Sequence, residues 1–266
     1  MNKIILITGA SSGFGKAAAE LFSQRGYTVY GTSRKAQQSD TIHFLQMDVR
    51  DADSVKAGVK ELVDREGRLD IVVNNAGMGI GGSLEMATQE EIRLQMDTNF
   101  MGCVNVCQQV LPVMRKQGAG RIINLSSIGG IMGLPYQGFY SASKFAIEGF
   151  SEALSAEVRR FGILVSMVEP GDFATGFTAS RKISTLTAQS DAYGESFTRS
   201  QKIIEDEENG GLKPAVLANK IVKIAESKRP KLRYVVSDFE QLLSVILKRI
   251  VPGNQFVNIL RNYYKV

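Results

Sequence analysis

Short β-branched runs alternate with longer stretches of three-to-four apolar spacing along most of the chain. The short runs at 3–8, 28–33, 43–46, 71–74, 121–125, 164–169 and 232–236 predict seven strands. Helices are predicted near 13–24, 52–65, 89–112, 138–160 and 214–226. Strands alternating with helices give an α/β fold in which a doubly wound, seven-stranded parallel sheet carries helices on both faces. Right-handed crossovers then place a ligand crevice at the carboxyl ends of the strands. No short-period repeat and no long Pro- or Ser-rich linker divides the chain, so residues 1–266 are expected to form one domain.

Two regions break the alternation. Residues 176–213 are polar, rich in Ser and Thr, and include the acidic run Glu205-Asp206-Glu207-Glu208. This segment is expected to be a substrate lid with one or two irregular helices. Residues 238–266 carry Leu242, Leu243, Ile246, Leu247 and Ile250 at helical spacing, then Pro252-Gly253 and a second amphipathic piece through Val257, Leu260 and Tyr264. With Lys248, Arg249, Arg261 and Lys265 beside the apolar stripe, this extension either touches a membrane surface, covers the substrate pocket or meets another subunit.

The 266 residues are 44% apolar and 22% charged, which fits neither a disordered chain nor a membrane-spanning bundle. The net charge of +5 suits an anionic ligand or a mildly attractive membrane surface. No basic block interleaved with aromatics is present, and nucleic acid is not expected as a partner. Cys103 and Cys107 lie four apart in one predicted helix and read as small buried apolar side chains. With His43 as the single histidine, neither a zinc site nor a His-based triad is expected. The run Ile4-Ile5-Leu6-Ile7 is too short for a signal-peptide core, and no stretch of ~18 apolar residues follows, so a cytoplasmic protein is expected.

The first strand ends in Thr8-Gly9-Ala10-Ser11-Ser12-Gly13-Phe14-Gly15, and a helix opens directly behind it. Glycines there let the backbone approach a pyrophosphate, whose charge meets the unpaired N–H groups and positive dipole end of the helix. The second strand ends in Gly31-Thr32-Ser33-Arg34-Lys35, where an NAD-preferring site places a carboxylate against the ribose hydroxyls. Without that carboxylate a 2′-phosphate is not repelled, and Arg34 can hold it bidentately with Ser12 or Ser33 adding hydroxyl contacts. NADP(H) is therefore expected over NAD(H).

Tyr140-Ser141-Ala142-Ser143-Lys144 sets a phenol and an ammonium one helical turn apart. Bringing a tyrosine from a pKa of about 10 to the neutral range takes roughly 3–4 kcal/mol. An ammonium at about 4 Å supplies ~4 kcal/mol at an effective dielectric of about 20. Ser127 follows the fifth strand, and Asn74-Asn75-Ala76-Gly77 ends the fourth.

Taken together, the Thr8–Gly15 turn, Asp48-Val49, Asn74 to Gly77, Asn99, Ser127, Tyr140 with Lys144, and Pro170-Gly171 closely resemble the short-chain dehydrogenase/reductase family. The resemblance is continuous over residues 3–175, weaker to 236, and nearest to the hydroxysteroid and retinol dehydrogenase branch. It implies a Rossmann fold and an oxidoreductase that interconverts a secondary alcohol and a ketone or aldehyde by hydride transfer. Tyr140 would be the general acid/base, Ser127 would polarise the substrate oxygen, and Lys144 would tune Tyr140 and bind the nicotinamide ribose. Asn99 would hold a water that links Lys144 to solvent.

For the cofactor, the resemblance points to Gly9, Ser11, Ser12, Gly13, Phe14 and Gly15, to Ser33 and Arg34, and to Asp48 and Val49 beside the adenine. It adds Asn75, Ala76 and Gly77 beside the ribose, and Pro170, Gly171, Phe173 and Thr175 as a nicotinamide clamp with Tyr140 and Lys144. Asp48 has an alternative as a loop cap, and Asn74 reads better as a bond between strands than as a ligand contact. Apolar and glycine residues in 78–82 and 131–136 favour a lipophilic alcohol or carbonyl substrate. The family also implies a homodimer or homotetramer built through the helices at 99–112 and 140–160. A catalytically silent nucleotide-binding sensor is the alternative; it would be expected to lack Tyr140 or Lys144, and both are present.

Overall fold

The computed structural model describes residues 2–266. Strand β1 (Ile4–Ile7) is buried along its length, as a continuous apolar run requires in the middle of a parallel sheet. Helix α1 (Gly13–Gln24) returns to β2 (Thr28–Ser33) and β3 (His43–Gln46). Helix α2 (Ala52–Glu66) starts on Asp51, whose carboxylate accepts the N–H groups of Asp53 and Ser54. Strand β4 (Ile71–Asn74) and a two-residue β5 (Ile80–Gly81) follow. Helix α3 (Gln89–Met96) opens on a reciprocal Thr88–Glu91 capping box and passes through a π turn at Asp97–Met101 into α4 (Gly102–Gln117).

Next come β6 (Gly120–Leu125), α5 (Gly138–Val158) and β7 (Ile163–Pro170). The segment beyond holds α6 (Phe177–Ser180), β8 (Lys182–Ile183), α7 (Thr185–Ala188) and α8 (Gly194–Gly210). Helix α9 (Pro214–Glu226), β9 (Arg233–Val236), α10 (Phe239–Ile250) and α11 (Gly253–Tyr264) complete the chain.

The seven-stranded sheet runs β3-β2-β1-β4-β6-β7-β9, every pair parallel. Alternate residues feed two cores. Leu6, Val72 and Ile122 pack with α2, α4 and α5, while Ile5, Ile7, Val73 and Ile123 pack with α1 and α9. Strand order reverses between β1 and β4, which opens the crevice beside the glycine turn.

The expected elements are present, with two differences. The helix expected to stop at Pro112 continues to Gln117. Pro112 is exposed, so it forfeits only its own bond within the helix, and the turn beyond buries Met114 before left-handed Gly118 ends it. The segment expected to form a lid contains three short or medium helices rather than one or two, and its β8 pairs with β5. The C-terminal helices turn Val245 and Phe256 onto Ile128 and Met132, covering the segment after Ser127, while Phe239, Ile246 and Ile250 remain exposed outside.

Helix α5 is held to the sheet by buried polar bonds. Asn74 donates to its register partner Asn124 at 2.8 Å, and Asn124 donates to Ser151 at 2.8 Å. Asn74 thus joins strands, as its sequence reading favoured. Arg233 of β9 adds contacts to Glu148 at 3.1 Å and Glu152 at 3.2 Å on the same helix. Replacing Asn124 by Ala leaves buried groups of Asn74 and Ser151 unpaired, at about 1–3 kcal/mol each. Urea unfolding of Asn124→Ala is expected to show a loss of ~2–4 kcal/mol, and a loss under ~0.5 kcal/mol would show that this network does not anchor α5.

Candidate active site

The turn after β1 brings its backbone close to the end of β4. Thr8 Oγ1 accepts the N–H groups of Asn75 and Ala76, both at 2.9 Å, and Asn75 Nδ2 donates to the carbonyls of Thr8 at 2.8 Å and Gly9 at 3.1 Å. A methyl group at Gly15 would overlap the Gly9 carbonyl and the Asn75 amide, so only glycine allows this packing. Gly9 and Gly13 both have positive φ, and the Cβ direction of Gly13 is open. Such a cradle at the start of a twelve-residue helix fits a pyrophosphate. Asn75 therefore shapes the cradle through its side chain, while Ala76 and Gly77 line up beside it.

At the end of β2 the Arg34 side chain is exposed, and the Lys35 N–H donates to Ser33 Oγ at 3.2 Å. Asp48 caps its own turn: its carboxylate accepts the Arg50 N–H at 3.0 Å and pairs with the Arg50 guanidinium at 2.6 Å. That bond holds the Asp48 carboxyl below its usual range. Val49 is buried beside Asn105, which donates to its carbonyl at 2.8 Å.

Ser127, Tyr140, Lys144 and Asn99 converge beyond β6. Ser127 Oγ accepts the Gly129 N–H at 3.0 Å and faces the Pro170 carbonyl at 3.4 Å. Burial pushes the Tyr140 phenol up to about 12. Ser127 and Arg181 draw it down, and Glu208 and Asp172 push it further up. Lys144 Nζ donates to the Leu125 carbonyl at 2.8 Å and stands 5.7 Å from the centroid of the Tyr140 ring. Burial lowers the ammonium to about 8. The expected depression of the phenol by Lys144 is thus not met at this geometry, because Lys144 is turned into the Leu125 carbonyl and desolvation dominates. Asn99, on the π turn, uses its side-chain amide on Met78 at 2.8 and 3.0 Å and on Ser143 at 3.0 Å, so any water it holds must be met elsewhere on the residue.

Beyond β7 the segment from Pro170 to Thr175 is fixed at several points. Gly171 N–H donates to Val236, and Phe173 is buried edge-on against Phe14 of the glycine turn, centroids 5.0 Å apart. Phe173 thus packs the segment after β7 against the glycine turn. Thr175 Oγ1 accepts the Phe177 N–H at 3.1 Å.

A family model described as "short chain dehydrogenase" matches residues 3–185. The chain is a member of the short-chain dehydrogenase/reductase family. The family binds NAD(P)(H), and the chain is an oxidoreductase. A 3-ketodihydrosphingosine reductase of Bacteroides thetaiotaomicron is 53% identical over 265 residues, covering 99% of this chain and 98% of that protein. An NADPH-dependent 3-dehydrocapnine reductase of Ornithobacterium rhinotracheale is 33% identical over 247 residues, covering 87% of each. Among solved structures, a short-chain dehydrogenase from Streptomyces avermitilis superposes with a TM-score of 0.84 at 30% identity, covering 100% of this chain and 97% of that one.

Sequence reasoning missed Gln241. From the first turn of α10 its Oε1 accepts the Asp172 N–H at 3.0 Å, and its Nε2 donates to the Asp172 carboxylate. Nothing in the linear pattern marks a glutamine 69 residues away as the anchor of the Pro170–Thr175 loop. Gln241→Ala removes two bonds of roughly 1 kcal/mol each, and about one such bond's worth reaching the cofactor corresponds to about fivefold. Its KM for the dinucleotide is expected to rise by about that factor with kcat little changed, as steady-state kinetics would show; an unaltered KM would detach α10 from cofactor binding.

Proposed function

We propose that this oxidoreductase uses NADPH to reduce a long-chain, lipophilic ketone of the 3-ketodihydrosphingosine type to its secondary alcohol. The observation that carries the reading is the buried group of Ser127, Tyr140 and Lys144 beside the glycine cradle. A protonated phenol suits the reductive direction, in which the carbonyl oxygen needs a proton. The reductase names of the two relatives support the same direction and substrate class.

NADPH, when bound, supplies the hydride. Gly9 to Gly15 would receive its pyrophosphate, and Arg34 with Ser12 or Ser33 its 2′-phosphate. Tyr140 donates its proton to the substrate oxygen, and Ser127 Oγ orients that oxygen. Lys144, when charged, would hold the ribose hydroxyls of the bound nucleotide. Ile131, Leu134 and the inner faces of α10 and α11 supply apolar cover for an alkyl chain. Exposed Met101 and Phe145, on the helices that carry Asn99 and Tyr140, support pairing with a second copy.

Tyr140→Phe is expected to lower kcat for ketone reduction roughly 10²–10⁴-fold while NADPH binding, read by nicotinamide fluorescence, stays within about twofold. Survival of turnover would remove Tyr140 from the proton-donor role. Arg34→Ala is expected to weaken NADPH about 10–100-fold and NADH little, and equal weakening of both would contradict a 2′-phosphate contact. Lys144 is charged below about 8 and neutral above it, so kcat/KM for reduction is expected to fall as pH rises through that region. A profile that is flat between pH 7 and 10 would contradict a Lys144 ammonium lowered to about 8, since a free lysine titrates near ~10.4.

A further inference from the structure

One buried cluster, shared by β7, β9 and α5, holds more acceptors than donors. Glu169 lies on β7 directly before Pro170 and is enclosed, its side chain 1% exposed. Neither of its carboxylate oxygens has a hydrogen-bond donor. Arg233 on the neighbouring strand β9 brings its Nε to 3.5 Å from Oε1. That Nε carries a single hydrogen, which goes to Glu148 Oε2 at 3.1 Å. The Arg233 Nη2 is turned to Glu152 at 3.2 Å. Glu148, on α5, is itself buried and leaves its Oε1 without a donor.

An ionised carboxylate with no donor is among the most unfavourable groups to bury. Two carboxylates meet one Nε–H here, and it satisfies only one of them. The oxygens left over belong to both carboxyl groups, so one proton between the two provides the missing donor to the one and the missing partner to the other. A pair of carboxyls sharing a site retains a proton because ionising both brings like charges together. The surroundings act in the same direction. Burial and the charge of Glu148 push the Glu169 carboxyl up to about 7, against the pull of Arg233 and of Arg249 on α10.

We infer that Glu148 and Glu169 hold one proton between them, and that this hydrogen bond ties the end of β7 to the helix of Tyr140 and Lys144. Both ends of the tie adjoin the site. Glu148 is one turn beyond Lys144, and Pro170, next to Glu169, turns its carbonyl to Ser127. Loss of the proton leaves two carboxylates facing each other across one guanidinium. Glu169 keeps its proton in the folded chain over a range where an unfolded glutamate, with a pKa near ~4.3, has lost it. The stability that the tie contributes is therefore complete in acid and is lost as pH rises through about 7.

Urea unfolding of the wild type, Glu169→Gln and Glu148→Gln at about pH 5.5 and about pH 8.5 tests it. A glutamine amide donates to the facing carboxylate without a proton that titrates. The unfolding constant of Glu169→Gln relative to wild type is expected to fall at least about tenfold between the lower and the higher pH. Glu148→Gln, in which Glu169 still titrates but no longer meets a charge, is expected to show a fall of at least about threefold. The raised carboxyls of Asp172 and Glu207 are common to all three proteins and cancel in the comparison. A ratio that stays constant with pH, or rises, would show Glu169 ionised throughout as the partner of Arg233, and would overturn the inference. Failure of both variants to fold at the lower pH would overturn it as well, because the amide reproduces the proposed bond.

Discussion

The seating of α5 on the carboxyl end of β6 is the constraint on which the rest of the site depends. Lys144 reaches the Leu125 carbonyl, and Ser151, two turns further along, receives Asn124. These contacts fix the rotation of the helix about its axis. Tyr140, one turn before Lys144, is thereby directed to the same edge as Ser127. A helix held by apolar packing alone could turn without large loss; buried donors that must find their acceptors restrict it to one orientation.

Around that edge, three separately folded pieces meet. The glycine turn is closed against β4 by Thr8 and Asn75. The loop after β7 is pinned by Phe173 on Phe14 and by Gln241 on Asp172. The segment after Thr175 is joined through the β5–β8 pair and held together within itself by the Arg181–Glu208 ion pair. Burial then sets the protonation states: the Tyr140 phenol near 12, the Lys144 ammonium near 8 and the Asp172 carboxyl near 6. Each has moved toward its neutral form, the direction expected in a pocket with little water.

The strands and the core-facing helices were legible because their apolar periodicity is local and strong, and the glycine turn because its residues lie next to one another. Tyr140 and Lys144 were legible as a pair from helical spacing alone. Their electrostatic relation was not, since the direction in which Lys144 points is decided by the Leu125 carbonyl, nineteen positions earlier. Pro112 misled because its cost depends on whether the following turn finds something to bury, and Met114 does. Gln241 and Arg181 gave no signal, and Glu208 stood out only as part of an acidic run. Their partners are distant in sequence, and a single polar residue in an amphipathic or polar segment looks the same whether it faces solvent or a loop.

The central claim is that hydride passes at this edge from a nicotinamide to the carbonyl carbon of a long-chain ketone. It is tested most directly by single-turnover reduction of a long-chain ketone of that type with NADPH deuterated at both C4 positions, followed by mass spectrometry of the alcohol. One deuterium on the new carbinol carbon in every product molecule is the expected result. Alcohol formed without deuterium, or oxidation of the nucleotide without any alcohol, would contradict it.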